Sequence, residues 1–185
     1  MFRRLTGFCF LTKKLLQSRI IMISEEITTQ SAAATCALLL LLAAENRQED
    51  ISVYISSPGG EVNAGLAIYD TMQLVKPDVA TICVGQTAST ASMLLASGAR
   101  GKRCCTANST IMVHQLSSSI SGQVSDLESY TANVIKLKSL ITRIYMKHCN
   151  KSYDEVSRTL DRDCFMHPQT ALKWGLIDLV LGESV

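Results

Sequence analysis

The sequence has little net charge, and its cysteines are not spaced to bind a metal. Its 185 residues carry a formal net charge of +2, which is too small to indicate a nucleic-acid partner. The seven cysteines are odd in number, and no two of them have the C-x-x-C spacing from which a zinc site is built. We therefore predict no metal. We interpret the cysteines as reduced thiols in an intracellular compartment, where most of them pack as small apolar side chains.

The sequence also lacks an apolar run long enough to span a membrane. Its most apolar segment, residues 31–44, falls short of the roughly 20 residues that a spanning helix needs. Two glutamates shortly before that segment argue against a secretory signal, so we expect a buried core helix and no membrane partner.

The first nineteen residues contain five basic side chains and no acidic one. This bias fits an organelle transit peptide and an ordinary basic arm equally well. We assign residues 1–14 to such a segment and residues 15–185 to a single domain.

The remaining composition is that of a globular protein. Hydrophobic residues make up 47% of the chain and charged residues 18%. Short β-branched runs alternate with helical periods along the chain, and this alternation predicts an α/β fold. The predicted strands are residues 20–23, 51–56, 80–84, 109–115 and 176–181. The predicted helices are residues 14–18, 31–44, 63–74, 91–96, 124–147, 154–160 and 168–174.

The longest predicted helix, residues 124–147, has a regular apolar seam. Its apolar residues recur at alternating steps of three and four, as in a coiled-coil contact. Such a helix either packs on the core of its own chain or presents the seam to a second subunit. The length and regularity of the seam favour a subunit contact.

A serine stands where a predicted strand passes into an apolar helix. Ser89 follows the strand of residues 80–84 and a cluster of small and hydroxyl residues that begins at Gly85. A hydroxyl at a helix N-terminus lies where the aligned peptide dipoles stabilise a developing negative charge. Ser89 is therefore a candidate nucleophile. A serine at a helix start is also the ordinary N-cap residue, so the turn alone leaves both interpretations open.

Acyl transfer by a serine needs a base and a carboxylate that orients the base. Of the three histidines, His148 ends the long helix and His167 precedes a proline at a helix start. His114 lies on an apolar strand, where it is either a structural group or the base beside the Ser89 turn. Asp163, between an arginine and an apolar pair, is either the orienting acid or half of an ordinary ion pair.

The reaction also needs two hydrogen-bond donors for the oxyanion. The sequence offers the backbone amide of Gly60, in a Pro-Gly-Gly turn, and that of Thr90, directly after the candidate nucleophile. Each of these signals is weak alone.

Together, six ordered segments resemble the ClpP family, the proteolytic subunits of the Clp protease. The segments are YISSPGG (residues 54–60), GLAIYDTMQ (65–73), KPDVATICVGQTAS (76–89), IMVHQ (111–115), DRDCFM (161–166) and WGLIDLVL (174–181). The resemblance extends from about residue 15 to residue 181. The spacing from Ser89 to His114, and from there to Asp163, also agrees with the family.

The resemblance implies a crotonase-like α/β fold of repeated strand-strand-helix units with a long protruding handle helix. It implies a serine endopeptidase in which Ser89 is the nucleophile, His114 the base and Asp163 the orienting acid. The amides of Gly60 and Thr90 would form the oxyanion hole. The resemblance implies no metal and no cofactor in this chain, because ATP is used by a partner ATPase.

The resemblance also implies an assembly. Two seven-membered rings, of this chain alone or with a paralogue, would interlock through the handle helix. Arg162 would bond across the ring contact, with Gln123 and Asp126 as its partners. A Clp-type AAA+ unfoldase would feed unfolded polypeptides into the enclosed chamber. The expected location is the bacterial cytoplasm or an organelle matrix.

Several positions depart from the family pattern. Thr90 and Ala91 stand where the family usually has Met-Gly, and Ala91 would be strained if the backbone there needs a positive φ. Leu116 replaces a proline, residues 117–119 are serines in place of glycines, and His167 replaces a serine. In the cleft where the ATPase docks, Tyr54, Leu74 and Leu181 suit the family role. Ser52 and Cys104 are smaller or more polar than the usual aromatics, which predicts weaker or more selective docking.

Three functions are therefore compared. The first is an active self-compartmentalising peptidase. The second, motivated by the departures after Ser89 and after His114, is a non-catalytic ring subunit that pairs with an active paralogue. The third is a crotonase-type acyl-CoA enzyme, which shares the fold and a two-amide oxyanion hole but has no use for a Ser-His-Asp triad.

Overall fold

The computed structural model describes residues 11–115 and 123–182. The sequence departures at Leu116 and at residues 117–119 lie outside the described residues. The strands are β1 (Ile20–Ile23), β2 (Ile51–Ser57), β3 (Val79–Ala88), β4 (Arg103–Thr106), β5 (Thr110–Val113), β6 (Cys164–Met166) and β7 (Leu179–Leu181). The helices are α1 (residues 11–17), α2 (Thr29–Glu45), α3 (Val62–Leu74), α4 (Thr90–Ala96), α5 (Val124–Cys149), α6 (Tyr153–Leu160) and α7 (Pro168–Trp174).

The described strands form one mixed sheet with helices between them. Strands β1, β2, β3, β4 and β7 lie side by side in that order and are parallel. Strand β5 pairs with β3 in parallel, and β6 pairs with β5 in antiparallel orientation. Parallel neighbours need a crossover, and the intervening helices supply it. The predicted α/β class, with one long helix, is confirmed.

A bulge in β3 positions the strand that carries the candidate site. Ile55 of β2 pairs with Cys83, but Ser57 pairs with Thr87, so extra residues bulge from β3 between these two pairs. Gly85 lies in the bulge with a φ of +74°, a conformation that glycine adopts without steric cost. Before the bulge β3 pairs with β4, and after it β3 pairs with β5. The predicted end of the strand at Val84 is therefore wrong, because Gly85 redirects the strand rather than ending it.

Helix α2 packs one face on the sheet. Thr28 and Ser31 form a capping box at its N-terminus. The guanidinium of Arg19, which is buried, donates to the carbonyls of Leu42 and Asn46 at its C-terminal end. The prediction of a core helix holds for the face that carries Leu39 and Leu42, whereas Leu40 and Leu41 are exposed. Within the described residues, no helix is both long and apolar enough to cross a membrane.

Helix α5 extends beyond the core that it packs against. The C-terminal part of its seam, with Ile141, Ile144 and Tyr145, is buried. The N-terminal part is only half-buried, at Leu127, Tyr130, Val134 and Leu137. Both interpretations of the seam therefore apply, each to one part of the helix: one part packs on its own core, and the other has no cover within this chain's described residues.

Two strands were missed by the sequence analysis. Strand β4 begins at Arg103, and a charged residue argues against a buried strand. In the fold its guanidinium is buried and pairs with Asp178 at 2.5 Å. Strand β6 has only three residues and holds its place by pairing with β5. The predicted strand of residues 176–181 shortens to β7, because Leu176 and Ile177 are buried in the turn after α7.

Candidate active site

Ser89 occupies a strained turn between β3 and α4. Its φ of 56° and ψ of −128° lie in a region that non-glycine residues rarely adopt. Its amide donates to the carbonyl of Met112 on β5 at 2.9 Å, so the turn is attached to the neighbouring strand. Its side chain makes no capping hydrogen bond, which disagrees with the N-cap interpretation. A sharp strand-to-helix turn of this kind exposes the hydroxyl at the edge of a sheet.

The strand registers bring His114 and Asp163 to the same place. Strand β3 pairs Ala88 with Met112, so Ser89 lies beside the end of β5. Strand β5 pairs Val113 with Cys164 in antiparallel register, so the next pair in the register is His114 and Asp163. The two residues that flank these strands therefore face each other.

The three side chains form one continuous hydrogen-bonded chain. Nε2 of His114 lies 2.9 Å from Oγ of Ser89, and Nδ1 lies 3.1 Å from Oδ1 of Asp163. The serine is half-buried and the imidazole is 25% exposed, whereas the carboxylate is 64% exposed. In this geometry the imidazole can take the hydroxyl proton while the carboxylate holds the opposite ring nitrogen in its protonated form.

A glycine turn lies against the nucleophile. A Cβ on Gly59 would stand 2.7 Å from Cβ of Ser89, and one on Gly60 would overlap the backbone of Ile27. Both glycines also have positive φ, at +96° and +151°. The turn after β2 therefore depends on two residues without side chains, because only they allow so close an approach.

The amides of Gly60 and Thr90, the predicted oxyanion donors, belong to two segments that are bonded to each other. Oγ1 of Thr90 donates to the carbonyl of Gly60 at 3.1 Å, which joins the two segments. Among the described residues, neither amide has a backbone acceptor. For Thr90 this is expected, since the first amides of a helix have no partner within it. Ala91 lies inside α4 without a positive φ, so the strain considered for it is absent.

Residues 7–184 match the family model described as Clp protease. The chain belongs to the Clp protease family. The family assignment implies a peptidase subunit of the Clp protease, a hydrolase, which assembles as an oligomer and works with Clp ATPases. It favours the protease over the acyl-CoA enzyme that the fold alone would allow.

One residue of this Clp protease chain that sequence reasoning missed is Gln115. Its Nε2 donates to the carbonyl of Asp161 at 3.0 Å, and its Oε1 accepts from Nζ of Lys138 at 3.1 Å. Gln115 directly follows His114. It therefore connects the end of β5 to the segment that carries Asp163 and to helix α5. The motif IMVHQ contained it, but nothing in the sequence indicated a partner 46 residues away.

The other two histidines lie away from the nucleophile. His148 contacts Tyr69 through a 3.3 Å hydrogen bond and an edge-to-face ring contact. Burial, with smaller effects from Lys147 and Arg103, lowers its pKa to about 4. His167 is exposed and makes no capping hydrogen bond at the start of α7. His114 is thus the histidine that bonds Ser89.

The residues predicted for the ring contact lie on the surface. The side chain of Arg162 is 92% exposed and has Asp161 at 3.9 Å as an ion-pair partner. Gln123 and Asp126 at the start of α5 are also exposed. Their bonding across a ring contact stays a prediction, because it requires a second subunit.

The described residues show no cluster of three or more histidine, cysteine, aspartate or glutamate side chains that could hold a metal.

Proposed function

We propose that this chain is the serine endopeptidase subunit of a Clp-type protease and hydrolyses unfolded polypeptides to small peptides. The observation that carries this proposal is the continuous hydrogen-bonded chain from Ser89 through His114 to Asp163. The amides of Gly60 and Thr90, which have no backbone acceptor in the described part of the chain, support it, since acyl transfer needs donors for the oxyanion.

The reaction follows from these groups. Oγ of Ser89 attacks the carbonyl carbon of the scissile peptide while Nε2 of His114 takes the hydroxyl proton. The amides of Gly60 and Thr90 stabilise the oxygen that becomes negative. Collapse of the intermediate breaks the C–N bond, and His114 gives its proton to the leaving amine. Water, deprotonated by His114, then attacks the acyl-serine and releases the acid, and the proton returns to the serine. Asp163 keeps the imidazole oriented throughout.

The assembly that we propose is a pair of stacked seven-membered rings, formed by this chain alone or with a paralogue. The half-buried N-terminal seam of α5 supports it, because that apolar surface has no cover in the described part of the chain. The exposure of Arg162, Gln123 and Asp126 leaves these side chains accessible to a second ring. The site would then face an enclosed chamber.

We further propose that a Clp-type AAA+ unfoldase delivers the substrate and uses the ATP, with no cofactor in this chain. Exposed apolar side chains on the strands and at the end of α3 support a docking surface. Leu74 is 76% exposed, and Leu181 and half-buried Tyr54 add to the surface. Ser52 and Cys104 on the same sheet contribute less apolar area, so docking should be weaker or more selective. The proposed location is the bacterial cytoplasm or an organelle matrix, with residues 15–185 as one peptidase domain.

The test combines labelling with native sizing. The purified chain is treated with a fluorophosphonate, the modified residue is identified by mass spectrometry, and the native particle is sized beside it. An adduct on Ser89 in a large particle supports the active peptidase. A large particle without an adduct supports instead the non-catalytic ring subunit. We keep that function as the second candidate because Asp163 is exposed in a single chain.

A further inference from the structure

A very small cavity adjoins the nucleophile. Its volume is about 20 Å³, and its wall includes Ser89 and His114 together with their neighbours Thr90 and Gln115. Met93 of α4 and Ile141 and Tyr145 of α5 complete the wall. A cavity needs about 10–15 Å³ to hold one water molecule, so this one has room for about one methyl group.

Tyr145 is the largest side chain in that wall, and it is held at both its hydroxyl and its ring. It is 2% exposed, and its Oη lies 2.8 Å from Oγ of Ser92. Ser92 uses its only proton to donate to the carbonyl of Ser89 at 2.6 Å, so Tyr145 must be the donor to Ser92. The ring also packs edge-to-face against Trp174 with centroids 6.1 Å apart. Turning the ring aside would break a buried hydrogen bond and this aromatic contact.

Outside Ser89 and His114, the residues that line the cavity are apolar or have their polar side-chain groups bonded within the chain. Met93 and Ile141 are apolar and buried. Oγ1 of Thr90 donates to the carbonyl of Gly60, and the side-chain amide of Gln115 bonds Asp161 and Lys138. The cavity lies directly beside the hydroxyl that attacks the substrate in the proposed mechanism. The carbonyl carbon that this hydroxyl attacks belongs to the residue on the acyl side of the scissile bond, so the side chain of that residue is the one brought next to the cavity.

We propose that Tyr145 is a specificity-determining residue that restricts the acyl-side residue of the cleaved bond to a small apolar side chain, alanine in preference to leucine or phenylalanine. This inference rests on the proposed peptidase function. An alanine methyl fills the cavity, whereas each further methylene of a larger side chain must displace the fixed ring. A difference of one methylene in an apolar pocket changes kcat/KM by about 10- to 200-fold.

The test uses the full chain and short fluorogenic peptides that differ only at the residue before the scissile bond. The wild-type chain should cleave the alanine peptide with a kcat/KM at least about 10-fold above that of the leucine peptide. Tyr145→Ala should reverse this order by enlarging the cavity. Tyr145→Phe keeps the ring and removes only the hydroxyl, so it should keep the preference for alanine. Tyr145→Leu provides a second enlarged cavity with a smaller change in packing.

The controls separate pocket size from folding and from function. Tyr69→Ala removes another buried tyrosine, one that does not line the cavity, and should leave the alanine-to-leucine ratio unchanged. Equal cleavage of both peptides by the wild-type chain, or an unchanged ratio in folded Tyr145→Ala and Tyr145→Leu, would overturn the inference alone. Cleavage of neither peptide, together with no fluorophosphonate adduct on Ser89, would contradict the peptidase function itself, and the inference with it.

Discussion

The two sides of the candidate triad are built differently. Ser89 and His114 lie at the ends of adjacent strands, and the serine amide is bonded directly to β5. Asp163 lies on the exposed segment between α6 and β6, beside the more exposed Arg162. The core of one chain thus fixes the nucleophile and the base, whereas the acid depends on few contacts. A contact with a second subunit at this segment would act on the acid and leave the other two groups in place.

The largest expected effect comes from replacing the nucleophile, Ser89. Ser89→Ala should abolish peptide cleavage, by roughly 10⁴-fold or more, because no other group can form the acyl intermediate. The native particle should keep its size, since only one hydroxyl is removed. Peptidase assay and native sizing of the same preparation give both results.

The matched control is Ser97→Ala. Ser97 is a buried serine directly after α4 that donates to Met93 and does not contact His114. It should keep most of the activity. Comparable activity in the Ser89 and Ser97 variants would contradict the role of Ser89.

The next largest effect comes from replacing the exposed acid, Asp163. Asp163→Asn should reduce kcat by about 10²- to 10⁴-fold, because an amide can orient the imidazole in the wrong tautomer. The control is Asp161→Asn, which changes a neighbouring acid whose carboxylate does not contact the histidine. If assembly holds the acid, the ratio of wild-type to Asp163→Asn activity should shrink in particles dissociated by dilution. A ratio that does not change on dissociation would argue that a single chain already fixes Asp163.

Two glycine variants distinguish the effect of close packing against Ser89 from the effect of backbone strain alone. Gly59→Ala places a methyl against Ser89 and also strains a φ of +96°, so it should lower the free energy of unfolding by about 1–3 kcal/mol and impair cleavage. Gly101→Ala has a similar φ of +83° but no atom within 4 Å of the added carbon. It should lose stability by strain alone, about 1 kcal/mol, with full activity. Urea unfolding and the peptidase assay test both variants.

The sequence indicated Ser89 and His114 more directly than it indicated Asp163. Ser89 was predicted as the nucleophile because a hydroxyl residue follows a β-branched strand, and His114 was predicted as the base because it lies on an apolar strand. The opposition of His114 and Asp163 depends on the register of β6, and a three-residue strand gives no periodic signal. Strand β4 was missed because its first residue is Arg103, whose charge is compensated by Asp178, a partner distant in sequence. Such contacts form only in the folded chain.

Variants of Gln115 test the contacts that hold the segment with Asp163 in place. Gln115→Leu keeps the bulk of the side chain but removes its bonds to Asp161 and Lys138, so the segment with Asp163 should become more mobile. We expect kcat to fall by about 3- to 10-fold, with little change in KM. Lys138→Met and the double variant complete a mutant cycle. Strictly additive losses would show that Lys138 does not act through Gln115.

The smallest effect concerns the pH dependence of stability and comes from His148, which lies outside the triad. His148 lies near the end of α5, and burial lowers its pKa to about 4 from an ordinary value of 6.5. The unfolded chain therefore binds a proton below about pH 6.5 that the folded chain does not bind until about pH 4. The contribution to stability is fully present above pH 6.5 and is lost as the pH falls through this window. Because His148 is only half-buried, solvent screening reduces the effect of the pKa difference, and we expect a loss of about 1–2 kcal/mol in total. Urea unfolding at pH 7.5, 5.5 and 4.5 should show a smaller loss for His148→Gln than for the wild-type chain. The exposed-site control His167→Gln should follow the wild-type curve, and a His148 variant that did so as well would contradict the assignment.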